Sequence, residues 1–565
     1  MRRTLATGLA ALVTATALAV TAAAPASAGP GRDRPVRTPS AAQVVAGMQP
    51  GWNLGNTLDA VGADETAWGN PRATRELFDA VEDAGFRSVR VPVTFGQRTG
   101  PAPDHTVDPA LMDRVEEVVD LALDEDLVVL LDVHHDSWMW AHEMPTRHDE
   151  VVAQFRATWE QIAERFRDHP RTLLLESLNE PQFAGVDDAA GDVLLDELNR
   201  VFHEVVRGSG GGNADRVLVL PTLHTNAGQE RLDALAGTID ALDDANLAAT
   251  VHYYGYWPFS VNVAGGTRFD ATALADMTGT FDRVRETFVD QGVPVVLGEY
   301  GLLGFDRHTG TIEQGEKLKF FEELGHQARA AGVTTMLWDN GQHLGRTSFA
   351  WSDPALFAQI SSSWSGRSGV ASTDQVFVEP GAATDQTITL QPNGRTFRDL
   401  RLDGRQLKKG RDYAINGTAL TLHASLLDRL VGDGPTGTRA ELFVRYGGGL
   451  PWRVEVVAAT APVLQAATGT TADFAVPTAF HGDRLATMEA RYADGTNAGP
   501  HGWTSFKEYD VTFAPDEEAG RIVLRPAFFA EVTDGAQVTL TFHFWSGRTV
   551  TYEVTRTGTE VTGTP

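Results

Sequence analysis

From about residue 41 to 365 the chain repeats one pattern: a short apolar run ending in polar residues, then an amphipathic stretch of helical period. The runs are GWNLGN (51–56), SVRVPV (88–93), LVVLLDVHH (127–135), TLLLESLNE (172–180), RVLVLPT (216–222), LAATVHYY (247–254), VPVVLGEY (293–300) and TTMLWDNG (334–341). Stretches such as RELFDAVEDAG and LMDRVEEVVDLALDED lie between them. Continuous apolar strands separated by helices mean a parallel sheet buried on both faces. Eight such units predict an α/β fold, a closed (β/α)8 TIM barrel over 41–365. An open doubly wound sheet would carry a glycine-rich phosphate loop after its first strand, and this chain has none there.

Past residue 365 the helical periods stop and short alternating strands take over. QTITLQP, ALTLHAS, AELFVRYG and WRVEVVA mark a block at 370–458, and YDVTFAP, RIVLRPA, QVTLTFHFWSG and TVTYEVT mark a second at 462–558. Both place a Tyr (Tyr413, Tyr509), a Leu-centred strand (Leu422, Leu524) and a final hairpin in the same order. The expectation is two all-β, immunoglobulin-like β-sandwich modules.

At 565 residues the chain is too long for one core, as several domains require. Its net charge of -28 argues against nucleic acid or an anionic membrane as partner. Met1-Arg2-Arg3, an alanine-rich apolar stretch from Leu5 to about Ala24 and then Ala26-Ser27-Ala28 read as a signal peptide over 1–28. Residues 29–40 read as a linker, and the mature protein is expected to be secreted and extracellular. With no cysteine, its stability must come from packed cores alone.

In a barrel the C-terminal strand ends form the rim that carries chemistry. Here that rim gathers Trp52, Asn53, Arg90, His134, His135, Asn179, Glu180, His252, Tyr254, Glu299 and Trp338. Glu180 ends the fourth strand and Glu299 the seventh. Two carboxylates facing across a barrel mouth suit glycoside hydrolysis. Asp132-x-His134-His135-Asp136 carries ligand-type residues, but a barrel metallohydrolase needs more of them converging from other strands, and His252 is the main further candidate. No metal or cofactor is implied. Trp68, Trp138, Trp140, Tyr256 and Trp257 fall in loops after strand ends, where aromatic faces would meet sugar rings.

These residues resemble glycoside hydrolase family 5. LNEP is similar to the family's acid/base motif, LGEYG to its nucleophile motif, HYY to its His-x-Tyr pair, VRVPV to its arginine strand and LWDNG to its tryptophan strand. GWNLGNTLDA, ETAWGNP and VHHD resemble its subfamily 4, bacterial endo-β-1,4-glucanases that include cellulases, lichenases and xyloglucanases. The resemblance implies a β-glucan polysaccharide substrate, Glu180 as acid/base and Glu299 as nucleophile. It further implies Arg90 and Tyr254 beside Glu299, Asn179 at the sugar 2-hydroxyl, His134 and His252 as orienting groups and Trp338 as the stacking floor. Asn53, His135, Trp68 and Trp257 are further expected substrate contacts.

A raised Glu180 pKa is expected, as is the retaining mechanism, with carboxyl groups about 5–5.5 Å apart. Residues 370–458 resemble the immunoglobulin-like module that follows such catalytic domains. Residues 462–558 resemble a family 46 carbohydrate-binding module, with Trp503 the expected sugar contact and Trp545 at a hairpin turn between contact and core. In this three-module order the last module can lean over the cleft. A mannanase or xylanase would use the same catalytic set; a non-catalytic glycan-binding barrel would not keep both glutamates. An open cleft for a polymer suggests a monomer.

Overall fold

The computed structural model describes residues 39–565, so the expected signal peptide and nearly all of the linker lie outside the described residues. Residues 40–565 form one compact unit. Eight parallel strands close into a barrel: β1 Gly51–Asn53, β2 Ser88–Val93, β3 Val128–Val133, β4 Leu173–Glu176, β5 Leu218–Pro221, β6 Leu247–Tyr253, β7 Val295–Tyr300 and β8 Thr334–Leu337. Pairing of β1 with β8 completes the ring.

Strand alternation sorts the barrel interior into layers. Along β3, Val129, Leu131 and Val133 pack outward with Phe78, Val115 and Val119 of the surrounding helices. The other parity points inward: Leu130 joins Leu174, Val219, Ala248, Val296 and Met336 in an apolar layer at the barrel bottom. Two residues higher the same face carries Asp132, and the next position His134. The polar rim is therefore a continuation of the apolar core along one strand face. Helix Ala41–Gly47, N-capped by Ser40 in a capping box with Gln43, plugs the bottom. Ser88 Oγ donates to Met48 O at 2.7 Å and Thr334 Oγ1 to Val45 O at 2.7 Å, fixing the plug to the strand starts.

Both C-terminal modules are sandwiches of a four-stranded and a five-stranded sheet. In the second module Ile388 and Leu420 of one sheet meet Leu442, Val444 and Val454 of the other. Each module repeats one plan: a hairpin (Tyr413–Asn416 with Ala419–Leu422; Phe513–Asp516 with Arg521–Leu524), a short helix, then a long hairpin. The helices, Ala424–Val431 and Pro526–Ala530, depart from the all-strand expectation. They are one or two turns long and bury only Leu426, Leu427 and Val431, or Phe528 and Phe529, too few positions to show a helical period in sequence. The third module also runs past 558, since strand Glu560–Thr564 pairs on both sides within its sheet. Trp452 is core, 3% exposed. Trp545 is an interface residue: the Arg268 guanidinium of the barrel lies 4.8 Å over its ring.

Candidate active site

Two backbone irregularities aim the glutamates. On β7, Val296 faces the barrel interior, so strict alternation would send Glu299 outward. The register against β6 slips instead: Val251 pairs with Leu297, and the next residue, His252, pairs with Glu299. Gly298 is the extra residue of this bulge, and the bulge turns Glu299 inward. Only glycine fits there, because a Cβ would stand 2.8 Å from Thr250 Oγ1 and 3.1 Å from His252 Nε2. Glu180, beyond the end of β4, sits at φ +40, a left-handed conformation that costs a non-glycine residue about 1–3 kcal/mol. The cost is tolerated where surrounding structure fixes the backbone: Asn179 N is bonded to Val133 O at 2.9 Å and His224 N to Pro181 O at 2.8 Å.

The two carboxylates meet at His252. Its Nδ1 lies 3.0 Å from Glu180 Oε1 and 3.5 Å from Glu299 Oε2. Facing atoms of Glu180, His252 and Glu299 all fall within 4.8 Å of one another. That spacing suits nucleophilic attack on a sugar from one side and protonation from the other, and is too short for the water that inverting enzymes place between their carboxyl groups.

Below them Arg90, fully buried, spends its fork on a set of acceptors. Nη1 donates to Glu299 Oε1 at 2.7 Å and to Asn53 Oδ1 at 3.2 Å; Nε and Nη2 grip Glu176 at 2.8 and 3.0 Å; Nη2 also reaches Asn179 Oδ1 at 2.8 Å and pairs with Asp132. The bond to Asn179 fixes which end of its amide donates. His134 Nδ1 sits 2.8 Å from Asp132 Oδ2, and its Nε2 lies 4.0 Å from Glu299. Tyr254 donates its hydroxyl to Glu299 Oε2.

One cation serves three buried carboxylates, and their charges adjust. Burial pushes Asp132 up to about 7 against the pull of Arg90, and raises Glu176 in the same way. Burial also opposes the charge on Glu299, but His252 and then Arg90 outweigh it, and this carboxyl falls below the ordinary range. Burial likewise opposes the charge on His252, but Glu299 and Glu180 outweigh it and raise its pKa. His134 is driven well down by burial, then by His135 and Arg90, and stays neutral. Glu180 corrects the expectation of a raised acid. Burial pushes it up, yet the His252 hydrogen bond and charge bring it below the ordinary value, with 47% of its side chain open to the cleft.

Trp338 stacks parallel to His134, with centroids 5.9 Å apart and planes at 3°. Its ring rests on Gly55, where a Cβ would come within 2.9 Å. From His134 an aromatic row continues through His135 to Trp68 and Trp138, both about 40% exposed and centred 5.2 and 5.3 Å from the His135 ring. Trp138 Nε1 donates to His135 Nδ1 at 2.9 Å. An indole only donates, so the His135 proton sits on Nε2, 3.5 Å from Asp59 Oδ2. Asp59, His134 and His135 bring ligand-type atoms within 4.8 Å of one another, with His135 Nε2 facing Asp59.

Two expected rim residues are structural. Asn53 is fully buried: its amide donates to the carbonyls of Gly298, Met336 and Leu337 while its oxygen accepts from Arg90, so it straps β1 to β7 and β8 and is no sugar contact. Trp52 is equally buried, its Nε1 on Asp339 and the Arg346 guanidinium over its ring. Trp140 bonds Asp136, which also holds Phe95 N and Gly96 N, and so anchors the loop after β2. Glu176 and Gly298 are functional positions left unassigned in the sequence, and Asp132, weighed there only as a ligand-type residue, instead pairs with Arg90 and His134. Inward parity two residues before His134 is the signal for Asp132, and Gly before Glu in LGEYG the signal for Gly298.

The third module closes one side of the rim. It touches the loops after β6 and β7: Tyr509 N donates to Asn262 O at 3.0 Å, Asn262 Nδ2 to Ala486 O at 3.1 Å, and Arg307 pairs with Glu508 at 2.7 Å. Trp257 of the barrel and Trp503 of the third module lie 6.0 Å apart, 42% and 62% exposed.

The sequence profile described as Cellulase (glycosyl hydrolase family 5) matches residues 53–344. Carbohydrate binding domain X2 matches 370–456, and the carbohydrate binding domain CBM46 matches 460–564. The chain is 51% identical over 553 residues to Endoglucanase B of Paenibacillus lautus, covering 97% of this chain and 98% of that one. Among solved structures it is similar to the tri-modular endo-beta-1,4-glucanase B from Bacillus halodurans (TM-score 0.91, 49% identity, 94% of this chain and 99% of that one). It also resembles a tri-modular family 5, subfamily 4 endo-beta-1,4-glucanase from Bacillus licheniformis complexed with cellotetraose (TM-score 0.79, 30% identity, 92% and 100% covered).

Proposed function

This chain belongs to glycosyl hydrolase family 5, and on that premise we propose that it is an endo-β-1,4-glucanase with Glu180 as acid/base and Glu299 as nucleophile. The observation that carries the assignment is the pair of carboxylates within 4.8 Å, bridged by His252.

Proton bookkeeping makes the pair work. In the free site the surroundings favour the ionised forms of Glu180 and Glu299 and the protonated form of His252. Catalysis needs Glu180 protonated and Glu299 ionised. The two states hold the same number of protons and differ by one transfer across the 3.0 Å His252–Glu180 bond. A sugar seated between the glutamates separates Glu180 from its counter-charges and favours that transfer.

Glu180 then protonates the glycosidic oxygen as the bond to the anomeric carbon breaks, and Glu299 Oε attacks that carbon. The aglycone leaves. Glu180, now ionised, removes a proton from the water that displaces Glu299, and return of that proton across the Glu180–His252 bond restores the starting state. The configuration at the anomeric carbon is retained, as is general in this family.

The substrates proposed are cellulose-type chains, mixed-linkage β-glucan and xyloglucan. Exposed Trp68 and Trp138, which flank His135, support binding of further sugars on one side of Trp338, and Trp257 with Trp503 extends the aromatic surface onto the third module. We further propose export, because residues 1–28 have signal-peptide character; amino-terminal sequencing of the mature protein checks it.

The test is reducing-sugar release from xyloglucan, barley β-glucan, carboxymethylcellulose and mannan by the enzyme and by Glu299→Gln. Cleavage of the β-glucans, abolished in the variant, is the expected result. Cleavage of mannan alone overturns the substrate reading, and an active variant overturns the catalytic one.

A further inference from the structure

We propose that Glu508 is a positioning residue that fixes the aromatic platform across the junction of barrel and third module. The inference rests on the reading that Trp257 and Trp503 contact the polysaccharide.

Glu508 is buried and sits in the third module with both oxygens committed. Oε1 pairs with Arg307 of the barrel at 2.7 Å, and Oε2 lies 2.9 Å from His501 Nε2. The His501 ring packs edge-on against both tryptophans, its centroid 6.1 Å from each, at 77° to Trp257 and 65° to Trp503, so that with the 6.0 Å contact between the two indoles the three rings form a near-equilateral cluster. Trp503 is 62% exposed, so little else packs on it. Arg307 follows β7 on the loop that leaves Glu299, and Trp257 follows β6 on the loop that leaves Tyr254. A carboxylate that binds a barrel cation with one oxygen and the platform histidine with the other ties the aromatic pair to the loops of the catalytic strands.

His501 adopts φ +58, and Lys507 Nζ donates to Pro500 O at 2.7 Å, so its segment is also braced from its own module. The two hydrogen bonds at Asn262, one from Tyr509 N to its carbonyl and one from its side-chain amide to Ala486 O, would hold the module in place without Glu508. What Glu508 adds is the orientation of His501, and through it the distance and tilt of Trp503 against Trp257. A rigid aromatic pair binds a polymer without first being ordered, and a loose pair forfeits part of its affinity.

The experiment is a double-mutant cycle on the full chain with Glu508→Gln, Trp503→Ala and the pair, assayed on barley β-glucan and on an aryl cellobioside. Glu508→Gln should raise KM for the polymer about two- to tenfold and leave kcat on the aryl cellobioside unchanged. Trp503→Ala should raise the polymer KM at least as much. The double variant should be no worse than Trp503→Ala, because Glu508 acts through that ring. Arg307→Gln, which cuts the same tie from the barrel side, should reproduce the effect if Glu508→Gln folds poorly, as a thermal melt would show. Independent, multiplying effects in the double variant overturn the proposal while leaving the platform reading intact. An unchanged polymer KM in Trp503→Ala overturns both.

Discussion

Replacing Tyr254 by Phe removes one hydroxyl donor from Glu299 and keeps the ring. Glu299 Oε2 accepts from Tyr254, whereas Oε1 is held by Arg90 at 2.7 Å. A hydrogen bond to a charged acceptor contributes about 1.5–3 kcal/mol, and one pKa unit is about 1.4 kcal/mol. The Glu299 pKa should therefore rise by about one to two units in the variant. The ionised form is the nucleophile, so the acid limb of kcat/KM moves up by the same amount. The alkaline limb follows loss of the proton shared by His252 and Glu180, which Tyr254 does not touch directly, and it should stay in place. Stability gives an independent sign. A carboxyl lowered in the folded state stabilises the fold above its unfolded pKa, and that contribution is lost as pH falls through the folded value. The variant should thus melt lower than the parent at neutral pH and converge with it in acid. Initial rates on an aryl cellobioside at low substrate, taken across a pH series, read both limbs. An acid limb that does not move, or an alkaline limb that moves with it, refutes the assignment of Tyr254 to the ionised nucleophile.

Gly298→Ala places a methyl 2.8 Å from Thr250 Oγ1 and 3.1 Å from His252 Nε2, and kcat/KM should fall by about a hundredfold as the bulge shifts Glu299. Steady-state kinetics beside a melt that shows the variant folded would check this. In Glu180→Gln, polysaccharide cleavage should drop by about two to four orders of magnitude. A dinitrophenyl cellobioside, whose leaving group needs no proton, should still show a rapid first release in stopped flow; its absence would argue against Glu180 as the acid. Asp374, 4% exposed where the second module meets the barrel, is driven well up by burial and by hydrogen-bonded Glu313. The fold therefore binds this proton more tightly than the unfolded chain, and stability falls as pH rises from the ordinary carboxylate range. Asp374→Asn should flatten the dependence of Tm on pH between acid and neutral and raise Tm at neutral pH by a few degrees. An unaltered pH dependence would count against it.

The eight barrel strands were legible because each is buried on both faces and reads as a short, mainly apolar run between helical stretches. The catalytic glutamates were legible because they close such runs. What escaped was whatever the run does not encode. Asn53 looks the same in sequence whether it binds a sugar or straps three carbonyls, and only its complete burial and its bond to Arg90 decide. Glu299 points inward because of one unpaired residue, and a bulge leaves no periodic trace beyond the glycine that allows it. Glu176 sits in an apolar stretch and reads as part of the strand, although its side chain balances Arg90. The Glu180 environment was misjudged for a different reason. A pKa depends on the distance to His252, on a strand 72 residues further along, and no local pattern reports that distance.

The junction between barrel and third module also bears on how this architecture can be rebuilt. A binding module on a flexible tether raises the local concentration of polymer around its catalytic partner whichever way it happens to face. Here Asn262, Arg268 and Arg307 of the barrel reach Ala486, Tyr509, Trp545 and Glu508, so the module behaves as masonry in the cleft wall. Chimeras that exchange only the C-terminal segment would keep two folded parts and lose the seam between them. A graft that carries the barrel loops holding Trp257, Asn262 and Arg307 along with the new module would transfer the wall whole.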